Sequence, residues 1–337
     1  WQLVPVFRTD FVRRSWQVAH GGARIEIALD DGFITTGDAQ GNHRQRILEL
    51  ELELLDGPVD ALLDLAHTLV LGPSGQTADA LRLRPAQRSK AERGYALFAG
   101  DVPEPVKAAP LALRRDMHPV SAFQAAALAC LVHLQANEGP AIWPGEPAPL
   151  PDPEFIHQAR VALRRLRTGL RLFRGHLGAG WVAHWSAEWK SVADALGAAR
   201  NWDVLATEWL PDLLPALSAD AGAQDLQDWV DAQRRQALRH AGAVLASPAH
   251  ALRTLAFARA VIHLAPPARR RTSSTRPTRI PHLPTIARLM REPSSRSAST
   301  SEKSTVQPPI STLYSRRTTL RSVQARALPT TSSRAPT

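Results

Sequence analysis

The hydrophobic period changes from two residues to about 3.6 near Pro119, and this change constrains the fold most. Large apolar side chains occupy every second position of residues 24–30 and of residues 48–54, a period of two that is typical of half-buried strands. After Pro119 the apolar residues recur every three or four positions, as they do along amphipathic helices. The sequence therefore predicts an α+β chain, with an antiparallel sheet followed by an all-helical bundle.

Four segments follow from this pattern and from composition: a strand-rich part (1–100), a Pro-containing linker (101–118), a helical part (119–265) and a tail (266–337). Asp30-Asp31-Gly32 predicts a hairpin turn within the strands. Helices are predicted at 59–71, 120–137, 153–175, 225–246 and 249–264 and within 181–209, with a short strand at 81–84.

The basic charge is confined to the tail. Residues 266–337 carry 14 Arg and Lys against two acids, so their net charge of +12 exceeds the +10 of the whole chain. Residues 1–265 therefore carry −2, and overall charge gives no reason to expect a nucleic-acid partner. The tail also holds 25 Ser and Thr and 10 Pro, a composition that predicts disorder. An out-of-frame translation of a GC-rich gene would produce the same abrupt switch.

Several classes of protein are not expected. The single cysteine, Cys130, excludes a disulfide scaffold and a Cys-based zinc site. No apolar run approaches the roughly 18–20 residues of a membrane span, so an integral membrane protein is not expected. A membrane is not expected among the partners either. No basic-then-apolar leader opens the chain, and a cytoplasmic protein is expected.

Three glutamates share one face of the strand at residues 47–54: Glu49, Glu51 and Glu53. One interpretation is a solvated strand face above buried leucines. The other is a polar interior that holds a divalent cation, since Mg²⁺ prefers carboxylate oxygens. Glu26 and Asp30 have the matching parity on the preceding strand. Basic residues lie before, between and after these acids, and a mixture of acids for metal and bases for phosphate suits a metal–polyphosphate ligand.

Three ordered motifs extend this interpretation: VPVFRTDFVRRSWQVAHGGARIEIALDDGFI, ILELELELLDG and RPAQRSKAERGYAL. Together they resemble the second half of a CYTH domain, the fold of the triphosphate tunnel metalloenzymes, over residues 1–98. The resemblance implies a partial antiparallel barrel that binds triphosphate with Mg²⁺ or Mn²⁺. It implies phosphate contacts from Arg13, Lys90 and Arg93, and metal contacts from Glu26, Glu49 and Glu51.

The N-terminal Glu-x-Glu-x-Lys strand of that family is not present before Trp1. Half of the tunnel residues would then be missing, and an open barrel leaves unpaired strand edges. We therefore expect impaired catalysis from the chain as written.

The helix predicted at 153–175 carries a basic stripe. At about 100° per residue, six basic or titratable side chains fall within an arc of roughly 100°. They are His157, Arg160, Arg164, Arg167, Arg171 and Arg174. A solvated basic face is one interpretation, but no acid lies between Phe155 and Gly175 to relieve the repulsion. The stripe favours a polyanion partner, because arginine forks bind phosphate oxygens in pairs.

This helix, together with ALGAARNWDVL, resembles the conserved motifs of the CHAD domain family over residues 119–260. The family is a helical bundle of two four-helix halves that binds inorganic polyphosphate, and only the first half is recognisable. The resemblance implies a basic pore lined by His157, Arg160, Arg164, Arg165, Arg167 and Arg200.

The order CYTH then CHAD matches a known bacterial arrangement, and both parts imply one ligand class. We expect an inorganic triphosphatase-type phosphohydrolase whose partner is inorganic triphosphate or polyphosphate. The alternative is a non-catalytic polyphosphate-binding protein. Adenylate cyclase shares the tunnel fold, but the CHAD part argues against it.

Overall fold

A computed structural model describes residues 5–38, 41–72, 81, 83–142, 145, 147–217, 222–265 and 319–325. The described strands are β1 (Arg8–His20), β2 (Ala23–Asp38), β3 (Gly41–Asp56), β4 (Leu83–Pro85) and β5 (Thr319–Ala325). The described helices are α1 (Val59–Leu71), α2 (Lys90–Ala99), α3 (Pro119–Ala141), α4 (Pro153–Leu172), α5 (Ala179–Val204), α6 (Leu210–Leu217), α7 (Gly222–Leu245) and α8 (Pro248–Ile262). A π-helical turn, Leu205–Trp209, joins α5 to α6.

The described strands form one antiparallel sheet in the order β1-β2-β3-β5-β4. The sheet is open rather than a closed barrel, because β1 and β4 each pair on one side only within the described part of the chain. The antiparallel sheet and the helical part after it confirm the predicted α+β class, while closure into a tunnel is not observed.

The predicted hairpin turn at Asp30-Asp31-Gly32 is wrong. Strand β2 runs straight through these residues, and Gly32 pairs with Phe11 of β1. A Cβ atom at Gly32 would overlap the backbone of Asp10 and Phe11, so the absence of a side chain at this position allows β1 and β2 to approach closely. The chain turns instead at Gly21 and Gly22, whose φ angles of 56° and 77° are those of a tight hairpin turn.

The two faces of the sheet bury different side chains. Ile25 of β2 and Leu52 of β3 pack with Leu62 and Leu65 of α1 in one apolar cluster. This confirms that the leucines of β3 face the helix at residues 59–71. The alternation of the strand then directs Glu49, Glu51 and Glu53 to the opposite face.

Helices α3 to α5, α7 and α8 share a second apolar core, which includes Phe123, Leu163, Trp189, Leu238 and Phe257. The predicted helices are confirmed, although α4 ends at Leu172, where Phe173 leaves helical geometry near Gly175. By length and composition, α3 is the one described helix that could cross a membrane. Its buried side chains lie in this core, and core helices of soluble proteins pass the same test.

Helix α8 connects the two parts of the molecule. Its Ala251 and Leu255 belong to the apolar cluster beneath the sheet, while its Phe257 belongs to the helical core. Arg259 of α8 also forms an ion pair of 2.9 Å with Asp64 of α1. The sheet and the helices therefore share one packed element.

The predicted linker and the predicted tail differ in their described residues. Residues 101–118 contain no helix or strand. Within the tail, the backbone of β5 pairs with β3 and β4, which differs from the predicted disorder at residues 319–325. The remainder of residues 266–337 lies outside the described residues.

Candidate functional site

A row of charged residues crosses the face of the sheet that the leucines leave free. Arg13 of β1 lies opposite Asp30 of β2, and Asp30 lies opposite Glu49 of β3. Residues opposite each other on neighbouring strands project from the same face, so their side chains meet. Helix α2 covers this row with its first turn and supplies Lys90 and Arg93.

Lys90 stands at the centre of this charged cluster. Its Nζ lies 2.7 Å from Asp30 Oδ2, 2.8 Å from Glu49 Oε2 and 2.7 Å from Glu51 Oε1. Arg13 donates two hydrogen bonds of 2.7 Å to Asp30 and one of 2.6 Å to Glu51. Arg93 forms an ion pair with Glu49. The sheet cluster therefore consists of Arg13, Asp30, Glu49, Glu51, Lys90 and Arg93.

The cluster is internally neutral, with three carboxylates against three basic groups. Burial raises the pKa of Asp30, but hydrogen bonds from Arg13 and Lys90 outweigh it and hold that pKa below its ordinary value of 3.8. Burial lowers the pKa of Arg93, whose Nε has no hydrogen-bond partner within the described structure. An anion at this site must compete with carboxylates, and a cation must compete with Lys90 and Arg13.

The predicted metal ligands are only partly brought together. Glu49 and Glu51 lie in the sheet cluster, whereas Glu26 lies opposite Glu53, four positions along β2 from Asp30. No group of three or more His, Cys, Asp or Glu within the described ranges is arranged to hold a metal ion. The carboxylates bind basic side chains instead, so this arrangement does not by itself fit a divalent cation.

The sequence did not predict two parts of the sheet cluster, namely the central place of Asp30 and the helix α2. Asp30, the most buried carboxylate of the cluster, has the same strand parity as Glu26, but the resemblance implied only Glu26 as a metal ligand. Strand parity alone does not show which of the two positions α2 covers. Helix α2 was not predicted, although Ser89-x-x-Glu92 is a capping-box sequence. Ser89 accepts a hydrogen bond from the Glu92 backbone, and the Glu92 carboxylate accepts one from the Ser89 backbone.

A second candidate site lies on the basic face of α4. The apolar face of this helix packs into the helical core, which leaves Arg160, Arg164 and Arg167 on the partly exposed side. Arg200 of α5 approaches this side. Burial lowers the pKa of Arg160, and the positive charges of Arg200 and Arg164 lower it further. Three arginines from two helices therefore converge.

These arginines have little acidic compensation. Within the described part of the chain, no ion pair with Asp or Glu is formed by Arg160, Arg164, Arg165 or Arg167. His157 lies one helical turn before Arg160 and is half-buried. We define the helical basic face as His157, Arg160, Arg164, Arg167 and Arg200.

Arg165 does not belong to this face, although the sequence placed it there. It lies beside Cys130 and His133 of α3, on the other flank of α4. Burial raises the pKa of the Cys130 thiol to about 11, and the Arg165 charge opposes this rise. The pKa of His133 is lowered by burial and by the same charge. A rotation of about 100° per residue puts Arg165 well away from its neighbour Arg164.

The second helical motif supplies two different ion pairs. Asp203 of α5 is fully buried and bonds Arg234 of α7 at 2.6 Å. Arg200, one turn earlier, bonds Glu208 of the π-helical turn at 3.0 Å. Asp203 therefore joins α5 to α7, while Arg200 faces α4.

The family model described as the CHAD domain matches residues 125–318 of this chain. That range is more than half of the 337 residues and includes α4, α5, α7 and α8. The chain belongs to the CHAD domain family. The matched range begins after α2, so it leaves out the sheet cluster.

Two individual proteins are also similar. An inorganic triphosphatase of Haemophilus influenzae is 38% identical over 95 residues, which are 28% of this chain and 24% of that protein. The crystal structure of the CHAD domain from the plant Ricinus communis is 32% identical, with a TM-score of 0.40, and the match covers 48% of this chain and 52% of that one. The chain thus spans about a quarter of the first relative and about half of the second.

Proposed function

We propose that this chain binds inorganic polyphosphate on the helical basic face. The observation that carries the proposal is the convergence of Arg160 and Arg164 of α4 with Arg200 of α5. Within the described residues, Arg160 and Arg164 form no ion pair with an acid, and Arg200 pairs only with the half-exposed Glu208. Like charges this close repel, and a polyanion relieves that repulsion while it binds. Membership of the CHAD family, together with the polyphosphate binding that the sequence resemblance implies, supports the same ligand.

The shape of the face suits a chain of phosphates. At a rise of 1.5 Å per residue, the distance from His157 to Arg167 along α4 is about 15 Å. Guanidinium groups spaced over this length can each form paired hydrogen bonds with phosphate oxygens. A linear polyanion can therefore contact several arginines at once, which a single orthophosphate cannot.

A titration of the full chain with long-chain polyphosphate tests this proposal. Replacement of Arg160, Arg164 and Arg167 by Glu is expected to weaken binding at least tenfold without unfolding α4, since Glu is as good a helix former as Arg. The matched control replaces three exposed arginines elsewhere, Arg14, Arg88 and Arg115, by Glu. Both variants keep the basic residues of 266–337, so the tail contributes equally. Equal affinity for the two variants refutes the proposal.

A second candidate function is hydrolysis of triphosphate at the sheet cluster. Two observations favour it: six charged groups meet on one sheet face, and a short match links the chain to a protein named inorganic triphosphatase. In this proposal Arg13, Lys90 and Arg93 release their carboxylates and clamp the phosphates. The CYTH identity of residues 1–100 and the Mg²⁺ or Mn²⁺ requirement remain predictions.

Phosphate release from tripolyphosphate, with and without Mg²⁺, distinguishes the two functions. If the chain hydrolyses triphosphate, Lys90→Met should abolish phosphate release. Arg88→Met, which changes an exposed neighbour, should preserve it. A chain that only binds polyphosphate releases no more phosphate than the Lys90→Met variant. Because α4 is untouched, Lys90→Met should retain polyphosphate binding in either case.

A further inference from the structure

The π-helical turn Leu205–Trp209 carries the one acidic side chain that contacts the helical basic face in the described structure. Glu208 bonds Arg200 at 3.0 Å, and its side chain is 53% exposed. Asp203, the other nearby carboxylate, is buried and bound to Arg234. Glu208 is thus the acid that an incoming anion would meet at Arg200.

The π-helical turn explains how two residues eight positions apart come into contact. In a regular α-helix such residues differ in direction by about 80°. A π-helical turn takes more residues per turn, which rotates Glu208 back towards the direction of Arg200. The sequence supplies a cause: Pro211 cannot donate a backbone hydrogen bond, and its ring crowds the carbonyl of Thr207. The helix therefore widens just before Pro211.

We propose that Glu208 is an internal competitor for the anion site, and that its carboxylate occupies Arg200 until a phosphate displaces it. The proposal rests on the proposed polyphosphate binding and adds a residue that sets its affinity. Arg200 then changes partner on binding, from the Glu208 carboxylate to a phosphate oxygen, while Arg160 and Arg164 gain their first anionic partner. Exposed ion pairs are weak, so the competition is easily overcome by a ligand that bonds several arginines.

Tripolyphosphate titration of the full chain at 0.15 M salt tests the competition. Glu208→Gln should raise the affinity about two- to fivefold, the range expected for an exposed ion pair. Asp212→Asn is the matched control, because it removes the same charge from the first turn of helix α6 and leaves the Arg200–Glu208 ion pair in place. Asp212 forms no ion pair with Arg200 within the described residues, and salt at this ionic strength weakens interactions between exposed charges, so the control should change the affinity little.

A double substitution separates direct competition from a general charge effect. In an Arg200→Gln background, Glu208→Gln should give no further gain, since the competed group is gone. An equal gain from Asp212→Asn, or a gain that persists without Arg200, overturns the competition while polyphosphate binding stands. If the triple variant at Arg160, Arg164 and Arg167 binds polyphosphate as tightly as its matched control, the proposed function and the competition are refuted together.

Discussion

At the scale of single residues, the contacts of Asp30 predict that the stability of the sheet cluster depends on pH. Its side chain is fully buried and binds both Arg13 and Lys90. A carboxyl whose pKa is lower in the folded state stabilises the fold above its unfolded pKa, and this contribution disappears as the pH falls through the folded pKa. For Asp30 the loss therefore occurs below the ordinary value of 3.8.

Asp30→Asn should remove this pH dependence. At pH 6 we expect a loss of about 3 kcal/mol in the free energy of unfolding, because two basic groups lose a buried partner. The difference from the unsubstituted chain should shrink as the pH is lowered below about 3.8, where the native carboxylate also becomes protonated. Urea unfolding at a series of pH values measures it. Asp10→Asn, which breaks an exposed pair with Arg8, is the control, and a difference for Asp30→Asn that does not vary with pH contradicts the assignment.

At the scale of elements, α2 determines whether the cluster forms. Its first residue is Lys90, and its capping box fixes where the helix begins. Gly94, in the second turn, lies against Phe7, where a Cβ would clash with the ring. The helix is therefore held close to the strands, with Lys90 and Arg93 directed at the carboxylates.

Ser89→Ala should loosen the start of α2. The loss of an N-cap side chain costs about 1 kcal/mol, and Ser89→Thr should cost less because threonine also caps. If hydrolysis occurs at the sheet cluster, Ser89→Ala should also slow phosphate release from tripolyphosphate under conditions where the chain stays folded, since Lys90 is the first residue after the cap. Hydrogen exchange of the α2 amides reports the fraying directly. Unchanged exchange in Ser89→Ala contradicts a structural role for the capping box.

Except at α2, the sequence predicted whether a segment is strand or helix better than it predicted the neighbours of each side chain. Alternation placed Glu49 and Glu51 on one face because that period is a local property of the strand. Asp30 and Arg165 were assigned less well, since burial under α2 and proximity to α3 are tertiary contacts. The turn at Gly21-Gly22 was missed because Asp-Asp-Gly offered a competing turn signal, and only the approach of β1 to Gly32 shows which applies.

At the scale of the whole molecule, α8 makes the sheet and the helices one packed unit. Leu255 is 8% exposed and lies in the apolar cluster with Leu62 and Leu65 of α1. Arg259 continues this contact through an ion pair of 2.9 Å with Asp64, and His263 Nε2 lies 2.8 Å from Asp60 Oδ1. Such exposed polar contacts contribute little, so the apolar contact provides most of the coupling.

Leu255→Ala should therefore destabilise both parts together. We expect a loss of about 2 kcal/mol, at the low end for a leucine truncation because the side chain retains some exposure. Hydrogen exchange followed by mass spectrometry measures it separately in peptides from β3 and from α4. Both should become less protected by the same free energy, because α8 contributes to both cores. Leu213→Ala, the same truncation at a side chain that is 54% exposed, should leave both unchanged. If Leu255→Ala weakened protection in the helices while β3 kept its own, the sheet would be an independent unit and the coupling through α8 would be refuted.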